Sequence, residues 1–374
     1  MKTCFLTGST GVVGSAIAGR ALAASDARLK LLIRAASKEE LESRVEALAQ
    51  YWGVARDALG DRVEAVRGDA TEPRFGLSEA DYDRLAGECT HVIHSAGAVR
   101  MNLPIADARR SAVGSAQEII AFAERCRENG QFEKVEFIST VGVGGRLPGE
   151  LPERWITEPR GFHNTYEQSK AEAEERVREA IDRGLAVTVH RPSMVVGDSE
   201  TGKVIGFQVF YHLAEFISGR RTFGLMPDPG PTRLDLIPSD YVAAAILWSC
   251  ARPEYAGQIL HLCSGPHGAV GIRDLRTSVR TEFMAAGIAL PRPLTVPAAL
   301  FRAAIPLVRT FSSERQKRAL GTLPTFLDYL AENQTFGNSA SAKRLEAAGI
   351  PLPSARQFVP RVLRYYLEHG RRAR

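Results

Sequence analysis

Tyr166 and Lys170 stand four residues apart in a stretch, 164–182, with the spacing of a helix. Side chains at that interval share one face, so the phenol and the ammonium lie one turn from each other. An ammonium near a phenol favours the phenolate and lowers its pKa. A tyrosine tuned in this way exchanges a proton with a carbonyl or alcohol oxygen while hydride moves. A Tyr-x-x-x-Lys pair alone is most often a helix-surface pair. Here it follows an apolar run that closes on Phe137-Ile138-Ser139-Thr140, whose hydroxyls are placed to hydrogen-bond a reacting oxygen.

A second constellation opens the chain. A short apolar run leads into Thr7-Gly8-Ser9-Thr10-Gly11-Val12-Val13-Gly14, and residues 15–22 then read as a helix. Strand, tight turn and helix N-terminus make a phosphate cradle: glycines let the backbone approach a pyrophosphate, and free N–H groups attract its charge. The next strand ends in Leu31-Leu32-Ile33-Arg34. An acidic residue there suits the ribose hydroxyls of NAD, whereas an arginine suits the extra phosphate of NADP. The expected cofactor is therefore NADP(H), with Arg44 on the following helix assisting. Asp69, closing the third strand, is placed for the adenine amino group, and Lys170 for the nicotinamide ribose.

These residues need a scaffold that brings strand ends together, and the remaining sequence supplies one. Apolar runs at 29–33, 63–66, 91–94, 135–139 and 186–190 alternate with stretches of helical period at 38–52, 78–86, 105–128 and 164–182. Such alternation predicts an α/β, Rossmann-like doubly wound parallel sheet, and ligands in that fold bind beyond the carboxyl ends of the strands. Beyond Pro192 prolines and glycines become dense, and after Gly271 the pattern is mostly helical. The expected organisation is an NADP-binding unit over 1–270 and a smaller helical substrate lid over 271–374. Parts of 192–240 contribute to the substrate side.

With 374 residues, 44% hydrophobic and 24% charged, the chain reads as a soluble globular protein with a large core. Net charge is +5 with basic residues spread along the chain, and no zinc-finger spacing or basic–aromatic run points to nucleic acid. The five cysteines, Cys4, Cys89, Cys126, Cys250 and Cys263, include no Cys-x-x-Cys pair. Reduced thiols in a cytoplasmic protein are expected, with no metal and no disulfide framework. His91 and His94 flank a buried strand without a carboxylate or cysteine to complete a metal set. No signal peptide and no apolar stretch long enough to cross a membrane is seen.

Taken together, these motifs resemble the extended short-chain dehydrogenases/reductases. The likeness rests on Thr7 to Gly14, Gly68-Asp69-Ala70, His94-Ser95-Ala96-Gly97, the run from His190 through Pro192-Ser193-Met194-Val195 to Asp198, and Asp235 to Val242. Within that family, Leu32-Ile33-Arg34-Ala35 with Arg44, the segment Gly68 to Leu77, and the tail Tyr329 to Phe336 are similar to the thioester reductase and fatty acyl reductase branch. The resemblance implies hydride delivery from NADPH to an acyl thioester, giving an aldehyde and in some members an alcohol. Thr140 would polarise the carbonyl, Tyr166 would donate the proton and Lys170 would tune Tyr166. Ala70, Ser95, Ala96, Gly97, Ser139, Pro192, Ser193 and Val195 would join the cofactor site. One departure is Ser111, where the branch usually has the asparagine that opens an Asn-Val-x-Gly-Thr motif; that residue's role is not carried over. No adenylation or carrier domain is seen within these residues. The implied substrate is a thioester of coenzyme A or of a separate carrier protein.

The alternatives are a ketone/alcohol dehydrogenase of hydroxysteroid or dihydroflavonol type, a sugar-nucleotide epimerase-like enzyme, and a redox-silent NADP-binding protein. The apolar stretch 294–308 reads as a lid helix, with an acyl tunnel or contact with a membrane surface as its other uses. Arg371, Arg372 and Arg374 read as a solvated end.

Overall fold

The structure, a computed structural model, describes residues 2–220, 222–297, 300–301 and 334–370. The first half alternates as the hydrophobic pattern requires: β1 (Thr3–Thr7), α1 (Val12–Ala24), β2 (Arg28–Ile33), α2 (Lys38–Trp52), β3 (Val63–Arg67), α3 (Glu79–Glu88), β4 (His91–His94), α4 (Ile105–Arg109), α5 (Ser115–Glu128), β5 (Lys134–Ile138), the two-residue β6 (Glu150–Leu151), α6 (Thr165–Asp182) and β7 (Val187–Pro192). Helix starts are set by side-chain caps. Ser37 Oγ accepts from Glu40 N at 3.3 Å at α2, and Asn164 Oδ1 accepts from Glu167 N at 3.0 Å at α6.

The second half is made of shorter pieces: β8 (Met194–Val196), α7 (Val209–Ile217), β9 (Leu225–Pro227), β10 (Arg233–Leu234), β11 (Leu236–Pro238), α8 (Ser239–Cys250), β12 (Ile259–Leu262), α9 (Gly265–Gly268), β13 (Val270–Gly271), α10 (Ile272–Ala285), β14 (Leu294–Val296), β15 (Thr335–Phe336), α11 (Ser339–Ala347) and α12 (Ala355–His369). Seven parallel strands form one sheet in the order β12-β7-β5-β4-β1-β2-β3. The chain winds outward from β1 through β2 and β3, then returns to β4 on the other side and winds outward again. The crevice between the ends of β1 and β4 is the switch point where this topology places ligands.

Both sheet faces are covered. On one, Ile17, Ala18 and Ala21 of α1 meet Tyr241, Val242, Ala245 and Ile246 of α8, all buried. On the other, the rings of Phe5, Phe75, Tyr82 and Phe122 pack at centroid distances of 4.5–5.7 Å. A third cluster joins α7, α10 and α12 through Phe210, Leu213, Val279, Phe283, Phe358 and Val362.

Two readings need correction. The helix expected over 105–128 is interrupted by a π-turn at Arg110–Gly114. Leu294–Val296, read as the start of a lid helix, is a strand, because its backbone pairs with Leu225–Pro227. The rest of that stretch from 302 to 308, the tail motif from Tyr329 to Asn333, and Arg371, Arg372 and Arg374 lie outside the described residues.

Phe122 is fully buried and touches three other rings. Phe122→Ala is expected to destabilise the protein by about 3–5 kcal/mol through lost contact and an unfilled cavity. The check is a lowered urea midpoint with the far-ultraviolet circular dichroism of the folded state unchanged.

Candidate active site

The glycine turn is built by close backbone approach. Gly8 has φ +75°, and a Cβ there would sit 2.6 Å from the backbone of Ser95 and Ala96. A Cβ on Gly14 would sit 2.2 Å from Gly8 O. Gly11 N donates to Gly8 O at 2.9 Å, and no side chain caps α1. The first N–H groups of α1 therefore remain available to an anion. The hydroxyls of Ser9 and Ser139 are buried without a hydrogen-bond partner. Uncapped N–H groups, a cradle that a side chain would fill and orphaned hydroxyls all fit a dinucleotide.

A cavity of about 330 Å³ opens beside this turn. Its walls include Gly11, Val12 and Val13 of the turn, Ser95, Ala96 and Gly97 after β4, Ser139 and Thr140 after β5, Tyr166 and Lys170 of α6, and Pro192, Ser193 and Val195 around β7 and β8. Ser9 and Thr10 lie within the same turn. Arg34, Asp69 and Ala70 follow β2 and β3, outside this cavity. Arg34 is largely exposed, with Nη1 3.8 Å from Asp69 Oδ2. Asp69 Oδ1 accepts from the N–H and hydroxyl of Thr71, both at 2.9 Å. Arg44 is tied to Glu40 at 2.8 Å.

Tyr166, Thr140 and Lys170 converge on the cavity. Thr140 Oγ1 accepts from Gly142 N at 3.1 Å, and the Thr140 side chain favours the ionised form of the neighbouring Tyr166 phenol. Tyr166 is half-buried, and its remaining exposure is to the cavity. The expected lowering of its pKa is not found. Burial pushes it up to about 12, opposed by Thr140 and reinforced by Glu167. Lys170 Nζ donates to Ile138 O at 2.8 Å and lies over the Phe137 ring at 5.1 Å. Burial pushes Lys170 itself down to about 8.

Beneath this group, burial and then the Lys170 charge push His94 down to about 3, which keeps the ring neutral. It bridges Thr7 Oγ1 at 2.9 Å and Ser115 Oγ at 3.2 Å. The Ser115 hydroxyl donates to Ser111 O at 2.6 Å, and Ser111 Oγ accepts from Ala98 N at 2.8 Å. Ser111, which departs from the family pattern, thus anchors the loop after β4 to the π-turn.

Three further lining residues carried no assigned role from the sequence, although Asp235 and Gln334 lie within runs quoted for the family resemblance. His163 Nδ1 lies 2.8 Å from Glu167 Oε2 just before α6. Asp235 accepts from Ser264 N at 2.8 Å and Gly265 N at 3.0 Å, and burial pushes its carboxyl up to about 6. Gln334 Nε2 donates to Gly145 O at 2.9 Å and Leu147 O at 2.6 Å, and β15 pairs with β6, which closes one wall. Only the His163–Glu167 spacing, one helical turn, was visible beforehand. Among the described residues no cluster suited to a metal ion occurs and no helix is long and apolar enough to cross a membrane. All five cysteines are free and buried.

Residues 6–246 match the family model described as "Male sterility protein". The chain is 29% identical over 270 residues to a linear gramicidin synthase of Brevibacillus parabrevis, covering 70% of this chain and 5% of that protein. It is 27% identical over 284 residues to L-2-aminoadipate reductase of Schizosaccharomyces pombe, covering 71% of this chain and 19% of that one. The chain thus spans only a small part of these relatives. Among solved structures, the terminal R domain from the myxalamid PKS-NRPS biosynthetic pathway superposes with a TM-score of 0.82 at 27% identity. That match covers 99% of this chain and 91% of that one.

The depressed Lys170 value has a consequence for stability. The folded protein releases this proton near pH 8, the unfolded chain near 10.5. Burying the ammonium therefore costs stability fully below pH 8; the cost shrinks between the two values and is gone above 10.5. Lys170→Met is expected to be more stable than the parent at pH 7 by about 3 kcal/mol. The difference should narrow from pH 8 to 10.5. Paired unfolding curves across that range check it; a difference that does not change with pH contradicts the assignment.

Proposed function

The chain belongs to the male sterility protein family, in the thioester reductase branch of the extended short-chain dehydrogenases/reductases, and from that premise we propose that it reduces an acyl thioester to an aldehyde with NADPH. The observation that carries this reading is the meeting of Thr140, Tyr166 and Lys170 on one cavity with the Gly11–Val13 turn. In this reading residues 1–270 hold the cofactor, with parts of 192–240 facing the substrate, and the described residues after 271 complete the substrate side.

The bound nicotinamide supplies hydride to the carbonyl carbon. The chain's own groups manage the oxygen that becomes negative. Thr140 donates a hydrogen bond to it and Tyr166 gives it a proton, which a phenol held near 12 carries at neutral pH. When the C–S bond breaks, the hydroxyl proton returns to Tyr166 as the carbonyl re-forms, the departing thiolate takes up a proton to leave as the thiol, and the aldehyde remains. Lys170 acts from beneath as a positive charge near the nicotinamide ribose and Tyr166. The thioester comes from coenzyme A or from an acyl or peptidyl carrier protein. Carrier proteins are usually acidic, and a net charge of +5 favours such a partner.

NADPH is preferred over NADH in this reading because Arg34 directly follows β2, where an acidic residue would greet a free ribose. Its exposure leaves the guanidinium available to a 2′-phosphate.

Tyr166→Phe is expected to lower kcat about 10²–10⁴-fold while NADPH still binds, read by nicotinamide absorbance with an acyl-CoA or acyl-pantetheine substrate. Full turnover in that variant would remove Tyr166 as the proton donor. Arg34→Ala is expected to weaken NADPH about 10–100-fold and to leave NADH nearly unchanged. Equal losses for both cofactors would mean that Arg34 does not read the phosphate.

A further inference from the structure

Cleavage of the C–S bond calls for a proton that Tyr166 does not supply, because Tyr166 recovers its own as the carbonyl re-forms. An ordinary thiol, with a pKa of about 8.5, leaves as the neutral species at pH 7, and a bare thiolate in a partly apolar cavity is costly. Among the described residues, the titratable side chains on the cavity are His163, Tyr166, Glu167, Lys170, Arg233 and Asp235. Lys170 gives its Nζ to Ile138 O. Arg233 Nη2 is turned to Ala269 O, and a guanidinium keeps its proton. Both carboxylate oxygens of Asp235 accept main-chain N–H groups, from Ser264 and Gly265, and a carboxyl near 6 is mostly ionised at neutral pH. The remaining pair is His163 and Glu167.

That pair is built rather than incidental. The side chains of His163 and Glu167 are only 4% and 2% exposed. Glu167 Oε2 takes both the ring, at Nδ1 2.8 Å away, and the backbone N–H of His163 at 3.0 Å. The same carboxylate side chain packs under the turn that carries Thr140: a Cβ on Gly142 would lie 3.1 Å from Glu167 Cγ and 3.4 Å from Thr140 Oγ1. The two residues between His163 and Tyr166 are pinned as well. Asn164 caps α6, and the Thr165 hydroxyl donates to Leu103 O at 2.8 Å in the loop after β4. A carboxylate set against one imidazole nitrogen fixes the ring and stabilises the imidazolium.

Resting on the reductase reading above, we propose that His163 is the acid that protonates the departing sulfur, with Glu167 as the residue that positions it. The sulfur is one bond from the carbon whose oxygen Thr140 and Tyr166 manage, so its acid belongs on the wall those two share, where His163 stands. As the C–S electron pair goes to sulfur, the Nε2–H bond of the imidazolium breaks and an S–H bond forms. The neutral ring then regains a proton from water. Together with hydride from NADPH, this consumes one proton per thioester and yields one aldehyde and one thiol.

The test compares the full chain with its His163→Gln variant on two thioesters of one acyl group, an N-acetylcysteamine ester and a thiophenyl ester. The alkyl thiolate is a poor leaving group that needs the acid; the far less basic thiophenolate departs without it. His163→Gln is expected to slow the alkyl ester about 10²–10³-fold and to leave the thiophenyl ester close to the parent rate. NADPH affinity, read by tryptophan quenching, should not change. The ratio of the two rates is taken within one protein sample, so a partly unfolded variant does not distort it. Glu167→Gln is expected to shift that ratio in the same direction by a smaller factor; an unshifted ratio there overturns its positioning role. Equal losses on both esters, no loss on either, or a loss of NADPH affinity that matches the loss of turnover overturns the proposal and leaves the reductase reading in place. If the parent chain oxidises NADPH with neither ester, the reductase reading itself fails and this assignment falls with it.

Discussion

Three backbone segments meet at the end of β1, and they can do so only because two positions there carry no side chain. Gly8 lies against Ser95 and Ala96, and Gly14 lies against Gly8. This contact sets how far α1 stands from the sheet and where its N-terminus points. It also fixes the loop after β4 relative to β1, so the cofactor side and the substrate side of the cavity share one reference point. The cost of the arrangement is conformational: a left-handed residue and uncapped N–H groups are held in place by the surrounding sheet.

The helix that carries Tyr166 and Lys170 is oriented by a buried charge pair as well as by apolar packing. Arg191 on β7 reaches Glu174 on α6 with two parallel bonds of 2.9 and 2.6 Å. The same guanidinium donates to Arg154 O at 2.9 Å and lies 3.3 Å from His261 Nε2 on β12. One buried cation therefore ties α6, β7, β12 and the loop after β6 together. Such a pair adds little net stability against an apolar substitute, but leaving either partner alone is costly.

What the sequence made legible was local. The glycine turn, the strand runs and α2 could be read because their determinants lie within a dozen residues: a cap at Ser37, a left-handed Gly53 and an apolar stripe at Leu41, Val45 and Leu48. Residues on strand ends and on the first turns of α1 and α6 were found for the same reason. The direction of the Tyr166 shift was not legible, since it depends on how deeply the completed fold buries the phenol. The pieces of the second half were opaque because each two- or three-residue strand exists through a partner far away in sequence, as Leu294–Val296 does through Leu225–Pro227. Gln334 reaches the cavity wall across 189 residues of chain, and no spacing rule could place it.

The π-turn at Arg110–Gly114 has a bearing on how this site can change over generations. It holds one residue more than an α-helical turn of the same span, and each residue advances a helix by about 100°. Deleting a single residue there would restore regular winding in α4 and α5 and swing Ser111 away from Ala98, without disturbing the buried face of α5. Reinsertion would reverse it. The same deletion would also turn α4 against α6, the helix that carries Tyr166 and Lys170, since Arg109 of α4 is paired with Glu172 of α6 at 2.7 Å.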